Sequence, residues 1–440
     1  MKNMKIFIIT LVGLALILSG CAGFKTSNND EEAVNEDGKV VVDFWTFWGS
    51  EIRRPIVDKI VEDFNASQDE IEVKHTYSPW GDIWTKELAA IAAGNPPDVV
   101  INDINATAIR GQEQQAMNLS EFYDDSFSEK FYPELWNATL HEGDSYGIPF
   151  NTDTRVLFYN KDAFKEVGLD PEDPPETWAE LEEYAAKLDV KNGNSYDRLG
   201  FYPLWGVGYD VWLLNANGEN YFGPDHNTET VNINTEKNVE VLNWLKSWKE
   251  RIGEDVVNSF QAQIDSQQGN PFFSGDLAMI VQQPTFYTQI RDYAKDLNFG
   301  VVQMPEYEEG NGHTSWGGGF VAEIPEGSSD PEAAWKFIEY LTGAEAQEYW
   351  AVKNFDNVAN IEAAEAAAES DELTEQGQMV YQMAVDSMED TLLTPAPVTA
   401  PSYFNYINPQ VDEFFLGSKT AEEALEKAQT DVESLIEKNQ

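Results

Sequence analysis

The first hundred residues of the sequence predict an α/β fold, with helices covering the faces of a largely parallel sheet. Two observations carry this expectation. Short β-branched and aromatic runs alternate with segments of helical apolar spacing, which is the rhythm of strand, helix, strand, helix, strand. No repeat of 20–50 residues is present that would point to a solenoid instead.

Lys39-Val40-Val41-Val42-Asp43-Phe44-Trp45 reads as the first strand. A helix follows from about Ile52 to Asn65, with Ile56, Ile60, Val61 and Phe64 on one face. Ile71-Glu72-Val73-Lys74-His75 is a second strand, and Asp82 to Ala93 a helix stopped by Gly94. Beyond Pro96-Pro97, Asp98-Val99-Val100-Ile101 is a third strand. In open sheets of this kind ligands sit beyond the carboxyl ends of the strands. That directs attention to Thr46 to Glu51, Pro79 to Trp84 and Asn102 to Ala106.

A second strand–helix region begins near Arg155. Val156-Leu157-Phe158-Tyr159 is a strand, and Asp162 to Val167 a short helix stopped by Gly168. Pro171, Pro174 and Pro175 stiffen the connection to a helix running through Leu188. Thr177 caps that helix, with Glu180 placed as the reciprocal partner of a capping box. Further helices are expected at Glu236 to Arg251, Asp330 to Leu341 and Thr420 to Lys438. The last has acid at its start and Lys438 near its end, as the helix dipole favours.

The N-terminus has a different character. Lys2 and Lys5 precede an apolar run, Ile6 to Leu18, broken only by Thr10 and Gly13. This is the layout of a secretory signal peptide, and it is shorter than the ~20 residues that span a bilayer as a helix. It closes on Leu18-Ser19-Gly20-Cys21, which resembles the lipobox of bacterial lipoproteins. The resemblance implies that residues 1–20 are removed and that Cys21 carries a diacylglycerol and becomes the mature N-terminus. Residues 21–38 are too polar, small and acidic to fold and read as a lipidated flexible tether. Cys21 is the only cysteine, so the chain has no intramolecular disulfide and no cysteine metal cluster.

Charge excludes whole classes of partner. The chain has 28 basic and 78 acidic residues and a net charge of −50. Loss of residues 1–20, which hold two lysines and no acid, takes it to −52. Nucleic acid is excluded as a partner, and anionic lipid repels the body. The acids are spread along the sequence, so they read as a solvated surface suited to brine or to an alkaline medium. Salt screens such repulsion, with a Debye length of ~3 Å at 1 M.

Four blocks in order resemble the bacterial extracellular solute-binding proteins of the maltose-binding type, the receptors of carbohydrate ABC importers. They are Phe44-Trp45-Thr46-Phe47-Trp48-Gly49; Ala93-Gly94-Asn95-Pro96-Pro97-Asp98-Val99; Tyr146-Gly147-Ile148-Pro149-Phe150-Asn151 with Tyr159-Asn160-Lys161-Asp162, Gly168-Leu169, Pro175 and Thr177-Trp178; and Phe273-Ser274-Gly275-Asp276-Leu277-Ala278-Met279 with Gly317-Gly318-Gly319 and Ala334-Trp335-Lys336-Phe337-Ile338. The resemblance covers nearly all of residues 40–440. It implies a periplasmic-binding-protein-like fold of type II, with two α/β lobes, a hinge and a ligand cleft between them. Lobe 1 would take residues 40–150 and 300–360, and lobe 2 residues 151–299 and 361–440. It also implies a monomer that closes on a mono- or oligosaccharide and hands it to the transmembrane subunits of an ABC permease. Its place would be the outer face of the cell membrane, held by the lipid on Cys21.

A sugar shows C–H groups on its faces and hydroxyls at its edge, so its site needs aromatic platforms beside carboxylates and amides. Of 13 tryptophans, Trp48, Trp80, Trp205 and Trp316 fall at a strand end or in Gly/Pro loops and are the candidate platforms, with Gly317 and Gly318 beside the last. Trp178, Trp244, Trp248, Trp335 and Trp350 lie on expected helices and read as core. Asp103 and Asn151 are the leading polar candidates, followed by Asp82, Glu51 and Asn102. The resemblance adds a loop at Gln283-Pro284-Thr285-Phe286, where relatives often carry tryptophan; this chain has Thr285 and Phe286.

Two other classes compete. A secreted glycoside hydrolase needs two carboxylates about 5–10 Å apart, and nothing marks such a pair. Gly-x-Ser-x-Gly and His-Glu-x-x-His are absent, and the four histidines, at 75, 141, 226 and 313, lie far apart. No enzyme, metal or cofactor is expected. A binding protein for a polyamine or peptide is the stronger rival, because acids and aromatics also suit cations. A phosphate ester needs basic residues in the cleft, and only Arg53, Arg54, Arg110 and Arg155 stand near the candidate loops.

Overall fold

The computed structural model describes residues 34–223, 228, 230–264 and 269–440. The signal peptide, Cys21, most of the tether and His226 lie outside the described residues. The strands that matter for the site are β1 (Val40–Thr46), β2 (Ile71–Tyr77), β3 (Val99–Asp103), β4 (Ile148–Thr152), β5 (Val156–Asn160), β6 (Met279–Gln282), β7 (Phe299–Gln303), β8 (Ser315–Trp316), β9 (Gly319–Glu323), β10 (Asn357–Val358) and β11 (Thr391–Leu392).

Six of them form the first sheet, in the order β10-β4-β9-β3-β1-β2. β1 runs parallel to both β2 and β3, as the strand–helix rhythm predicts. β9 is antiparallel to β3 and to β4, and β10 is antiparallel to β4. Strands that return from elsewhere in the chain need no helical crossover, so local sequence does not set their direction. The second sheet holds β6-β5-β7, all antiparallel neighbours. Each sheet anchors one α/β lobe.

The helix Arg53–Ser67 buries Ile56, Val57, Ile60, Val61 and Phe64, the stripe its spacing predicts. The Thr177 cap accepts the Glu180 amide at 3.3 Å, but the Glu180 carboxylate bonds the Glu176 amide at 2.9 Å, so the box there is only half formed. The complete capping box is at the C-terminal helix Ala421–Asn439, between Thr420 and Glu423.

The chain passes between sheets at residues 153–155, and again at 315–318. β7 and the segment after it stay with the second sheet: Trp178 donates its amide to the Glu306 carbonyl, and Asn215 bonds the Thr314 carbonyl. The expected boundary at 300 therefore falls inside a strand of the second lobe. The helix Ile361–Ala368 packs on Ala344–Asn354, beside β10 of the first sheet, so the boundary at 360 does not part the lobes either. A polar segment such as Glu306 to Gly312 carries no apolar period to say which sheet it serves.

Behind the first sheet, Glu87, Arg110 and Glu323 are buried together. The Arg110 guanidinium bonds Glu87 and, at 2.6 Å, Glu323, and Asn102 donates to Glu323 at 2.7 Å. Two carboxylates face one arginine. Burial, with Glu323 nearby adding to it and Arg110 opposing, pushes Glu87 up to about 7. A carboxyl whose folded pKa is raised stabilises the fold fully below its unfolded pKa, about 4.5, and loses that contribution as pH rises through about 7. Glu87→Gln keeps a neutral acceptor for Arg110. In thermal melts from pH 5 to pH 8, the loss of stability with rising pH is expected to be smaller in the variant than in the wild type; equal slopes would show that Glu87 ionises normally.

Candidate ligand-binding site

Alternation along β1 sets the first wall. Val42, Phe44 and Thr46 point into the core, so Trp48 follows them inward and Phe47 turns out. Trp80 comes from the loop after β2, Trp84 from the first turn of the helix Asp82–Ala92, and Phe320 from β9, paired with Asp103 of β3. These rings form one cluster. Phe47 lies 4.7 Å from Trp80 and 4.8 Å from Phe320, and Trp80 lies 4.8 Å from Trp84, mostly edge to face. Trp80 is 59% exposed, which is unusual for so large a ring. Two glycines shape this wall. Gly81 has φ +82°, which starts the helix directly after Trp80, and a Cβ on Gly49 would lie 2.2 Å from the Tyr77 ring.

Asp103 stands at the end of β3 beside the cluster, its carboxylate accepting the Asn105 amide at 2.9 Å. Burial raises its pKa, and the charge of Asp153 in the first crossing adds to the rise.

The crossings are tied together by side chains. Thr154 bonds Ser315 at 2.9 Å and Thr391 at 2.6 Å, and the Arg155 amide donates to Ser315 at 2.8 Å. β8 pairs in parallel with β11, so a third pass of the chain joins the hinge. Asp153 accepts the Gly318 amide at 2.8 Å, pairs with Arg155 at 3.2 Å and accepts a bond from Gln283. The Arg155 guanidinium lies 4.6 Å over the Trp316 ring, whose indole N–H bonds Thr394 at 3.1 Å. Trp316 also lines a pocket of about 520 Å³ in the second lobe, together with Asp210, Tyr221, Tyr403 and Phe404.

The candidates from the sequence part into three groups. Trp80 and Asp103 belong to the first-lobe wall and Trp316 to the hinge and the second-lobe pocket, and Asp82 and Glu51 are exposed near the wall. Five others are corrected, because their faces or polar atoms are already used. Trp48 is 2% exposed, packed 4.8 Å from Phe150 and 4.4 Å from Trp350. Trp205 is 1% exposed and stacks on Phe260 at 5.3 Å. Asn102 belongs to the buried Glu87–Arg110–Glu323 network, on the opposite side of β3 from Asp103. Asn151 donates to Asp356 at 2.7 Å and accepts the Phe320 amide at 3.1 Å. Gly317 and Gly318 serve the hinge: a Cβ on Gly317 would lie 2.4 Å from the Asp153 carbonyl oxygen. Phe286 is buried against Phe158 and Phe273, which corrects its place as a ligand contact. Thr285 faces a separate groove of about 580 Å³ between the lobes, with Ser50, Arg53, Arg291 and Lys353.

Sequence reading pointed to the segments that hold Phe47 and Trp84 without singling out either ring, and missed Phe320, Asp153 and Asp210. Period-two alternation on β1 was the available signal for Phe47. Phe320 and Asp153 owe their places to strand pairing across some 170 residues, which no local pattern encodes.

Residues 59–379 match the family of bacterial extracellular solute-binding proteins. The chain belongs to that family. Among curated relatives, the sn-glycerol-3-phosphate-binding periplasmic protein UgpB of Escherichia coli K12 is 28% identical over 283 residues, 62% of this chain and 62% of that protein. Among solved structures, CpMnBP1 with mannotriose bound is 28% identical, with a TM-score of 0.71 over 90% of this chain and 100% of that one. The maltose-bound MalE of Listeria monocytogenes is 19% identical, with a TM-score of 0.73 over 91% of this chain and 99% of that one, and shares the fold. The two α/β lobes and their linked crossings are thus the frame of an extracellular solute-binding protein.

Proposed function

We propose that this protein is the substrate-binding lipoprotein of an ABC importer and that its solute is a carbohydrate, captured by closure of the two lobes. The observation that carries the reading is the aromatic wall of Phe47, Trp80, Trp84 and Phe320, with the Trp80 ring open and acidic groups beside it. Flat rings bury the apolar faces of a sugar, and carboxylates accept its hydroxyls. The bound mannotriose of CpMnBP1, a relative covering nearly the whole chain, agrees with this.

A phosphate ester, the solute of the UgpB relative, is less well served. Arg110 is held by two buried carboxylates, and Arg155 by Asp153 and the Thr154 carbonyl. In the separate groove Arg291 pairs with Asp292 and Lys353 with Glu372.

Catalysis is not part of the proposal. Among the described residues, a hydroxyl–imidazole–carboxylate chain runs from Thr46, 2.7 Å from His75, to Asp58, 2.9 Å from His75. Thr46 is 0% exposed and its hydroxyl already accepts the Trp48 amide, so no substrate reaches it.

The test is a thermal-shift panel on residues 22–440 in high salt, with mono- and oligosaccharides, spermidine and sn-glycerol-3-phosphate. A true ligand at 100 times its Kd stabilises by ~2.7 kcal/mol. A sugar is expected to raise the melting temperature. A shift with spermidine or the phosphate ester and with no sugar overturns the carbohydrate reading, and turnover of an oligosaccharide overturns the receptor reading.

The lipid anchor is part of the same proposal. Among the described residues no helix is long and apolar enough to cross a membrane. A diacyl group on Cys21 would supply retention, since one acyl chain alone anchors marginally. Cys21→Ser is expected to release the protein from the membrane fraction with its sugar affinity unchanged; loss of affinity would show that the N-terminus takes part in binding.

A further inference from the structure

The pocket behind Trp316 holds a polar group that the fold itself leaves unused. Tyr221 is 8% exposed, and its hydroxyl has no hydrogen-bond partner among the described residues. Burying a hydroxyl without a partner is costly, so such groups usually mark a missing ligand or a functional site. The carboxylate of Asp210, at the start of the helix Tyr209–Asn217, lines the same pocket, as does Glu219. Trp316, Tyr403 and Phe404 supply its rings, and among the described residues no lysine or arginine lines it. Two of the neighbouring amides are already engaged: Asn217 donates to Asn238 at 2.7 Å, and Asn238 to the Ile233 carbonyl at 2.9 Å.

We infer that this pocket is a second-lobe subsite for one hydroxylated, uncharged ring, with the Tyr221 hydroxyl and the Asp210 carboxylate as its polar contacts and Trp316 as the wall that links it to the hinge. The inference rests on the carbohydrate reading above and adds where a ring of that ligand is held. The chemistry is complementary: a sugar hydroxyl donates to Asp210 and completes the bond of Tyr221, while its C–H face lies against an aromatic ring. Two carboxylates line the pocket, and the nearby Arg155 is already paired with Asp153, which disfavours a phosphate or carboxylate in this place. Trp316 belongs to β8, which pairs with β11 and carries Arg155 over its ring, so a ring held here touches the crossings that close the lobes.

The experiment compares wild type, Tyr221→Phe and Leu214→Phe by calorimetric titration with mannotriose and maltotriose. Leu214 lines the pocket, and phenylalanine there fills it. Tyr221→Phe removes only the unpartnered oxygen, so its unliganded melting temperature is expected to equal or exceed that of wild type. Its affinity is expected to fall about tenfold, the size of one lost hydrogen bond, and Leu214→Phe to fall at least as far. Tight binding by wild type with unchanged affinity in Tyr221→Phe overturns the subsite and leaves the receptor reading standing. Spermidine binding that is lost in Tyr221→Phe while sugar binding persists also overturns it. Wild type that binds neither trisaccharide nor any sugar of the wider panel overturns the carbohydrate reading and the subsite together.

Discussion

Trp80→Ala is expected to weaken carbohydrate binding about 30-fold and to leave the unliganded protein almost as stable as wild type. Truncating an aromatic anchor at the centre of a binding surface costs ~2 kcal/mol or more, and each 1.4 kcal/mol is about tenfold in Kd. The Trp80 ring is mostly open to solvent and meets Phe47, Trp84 and Phe320 edge to face. Substitutions that empty no core stay within about 0.5 kcal/mol. Titration calorimetry and a thermal melt on the same preparation check both halves. A large drop in melting temperature, or an unchanged Kd, would show that Trp80 supports the fold rather than the ligand.

Trp48→Ala should do the reverse and abolish much of the stability. Its ring is closed between Phe150 and Trp350, and all three are fully buried. Removing a buried Trp side chain costs about 3–5 kcal/mol, a large share of the 5–15 kcal/mol that holds a typical domain. Denaturant unfolding is the measurement, with a midpoint well below that of wild type. Whatever folded protein remains is expected to bind sugar, since Trp48 offers no free face to the cleft. A stable Trp48→Ala with lost affinity would return Trp48 to the site.

These two tryptophans show how far the sequence could be read. Both precede a glycine near the carboxyl end of a strand, and composition treats them alike. The alternation Val42, Phe44, Thr46 separates them, because it carries Trp48 inward and leaves Phe47 outside. The parallel strands β1 to β3 and the helices between them were legible, since their periods are local. Asn102 and Asp103 are neighbours in sequence, yet one joins the buried Glu87–Arg110–Glu323 network and the other stands at the site. Only the pairing of β3 with β9 decides which, and β9 lies more than 200 residues away. The hinge glycines and the tie from Thr154 to Ser315 and Thr391 are likewise products of three distant segments meeting. The Tyr221 pocket lacks any local mark, because an unpartnered hydroxyl is a property of the folded neighbourhood and not of the residue.

Closure of the lobes on a sugar is tested most directly by small-angle X-ray scattering. Residues 22–440 in high salt would be measured without ligand and with a saccharide at a concentration shown by calorimetry to saturate binding. Capture by closure predicts a smaller radius of gyration that tracks occupancy and levels off at one ligand per chain. An identical scattering curve at full saturation would contradict it.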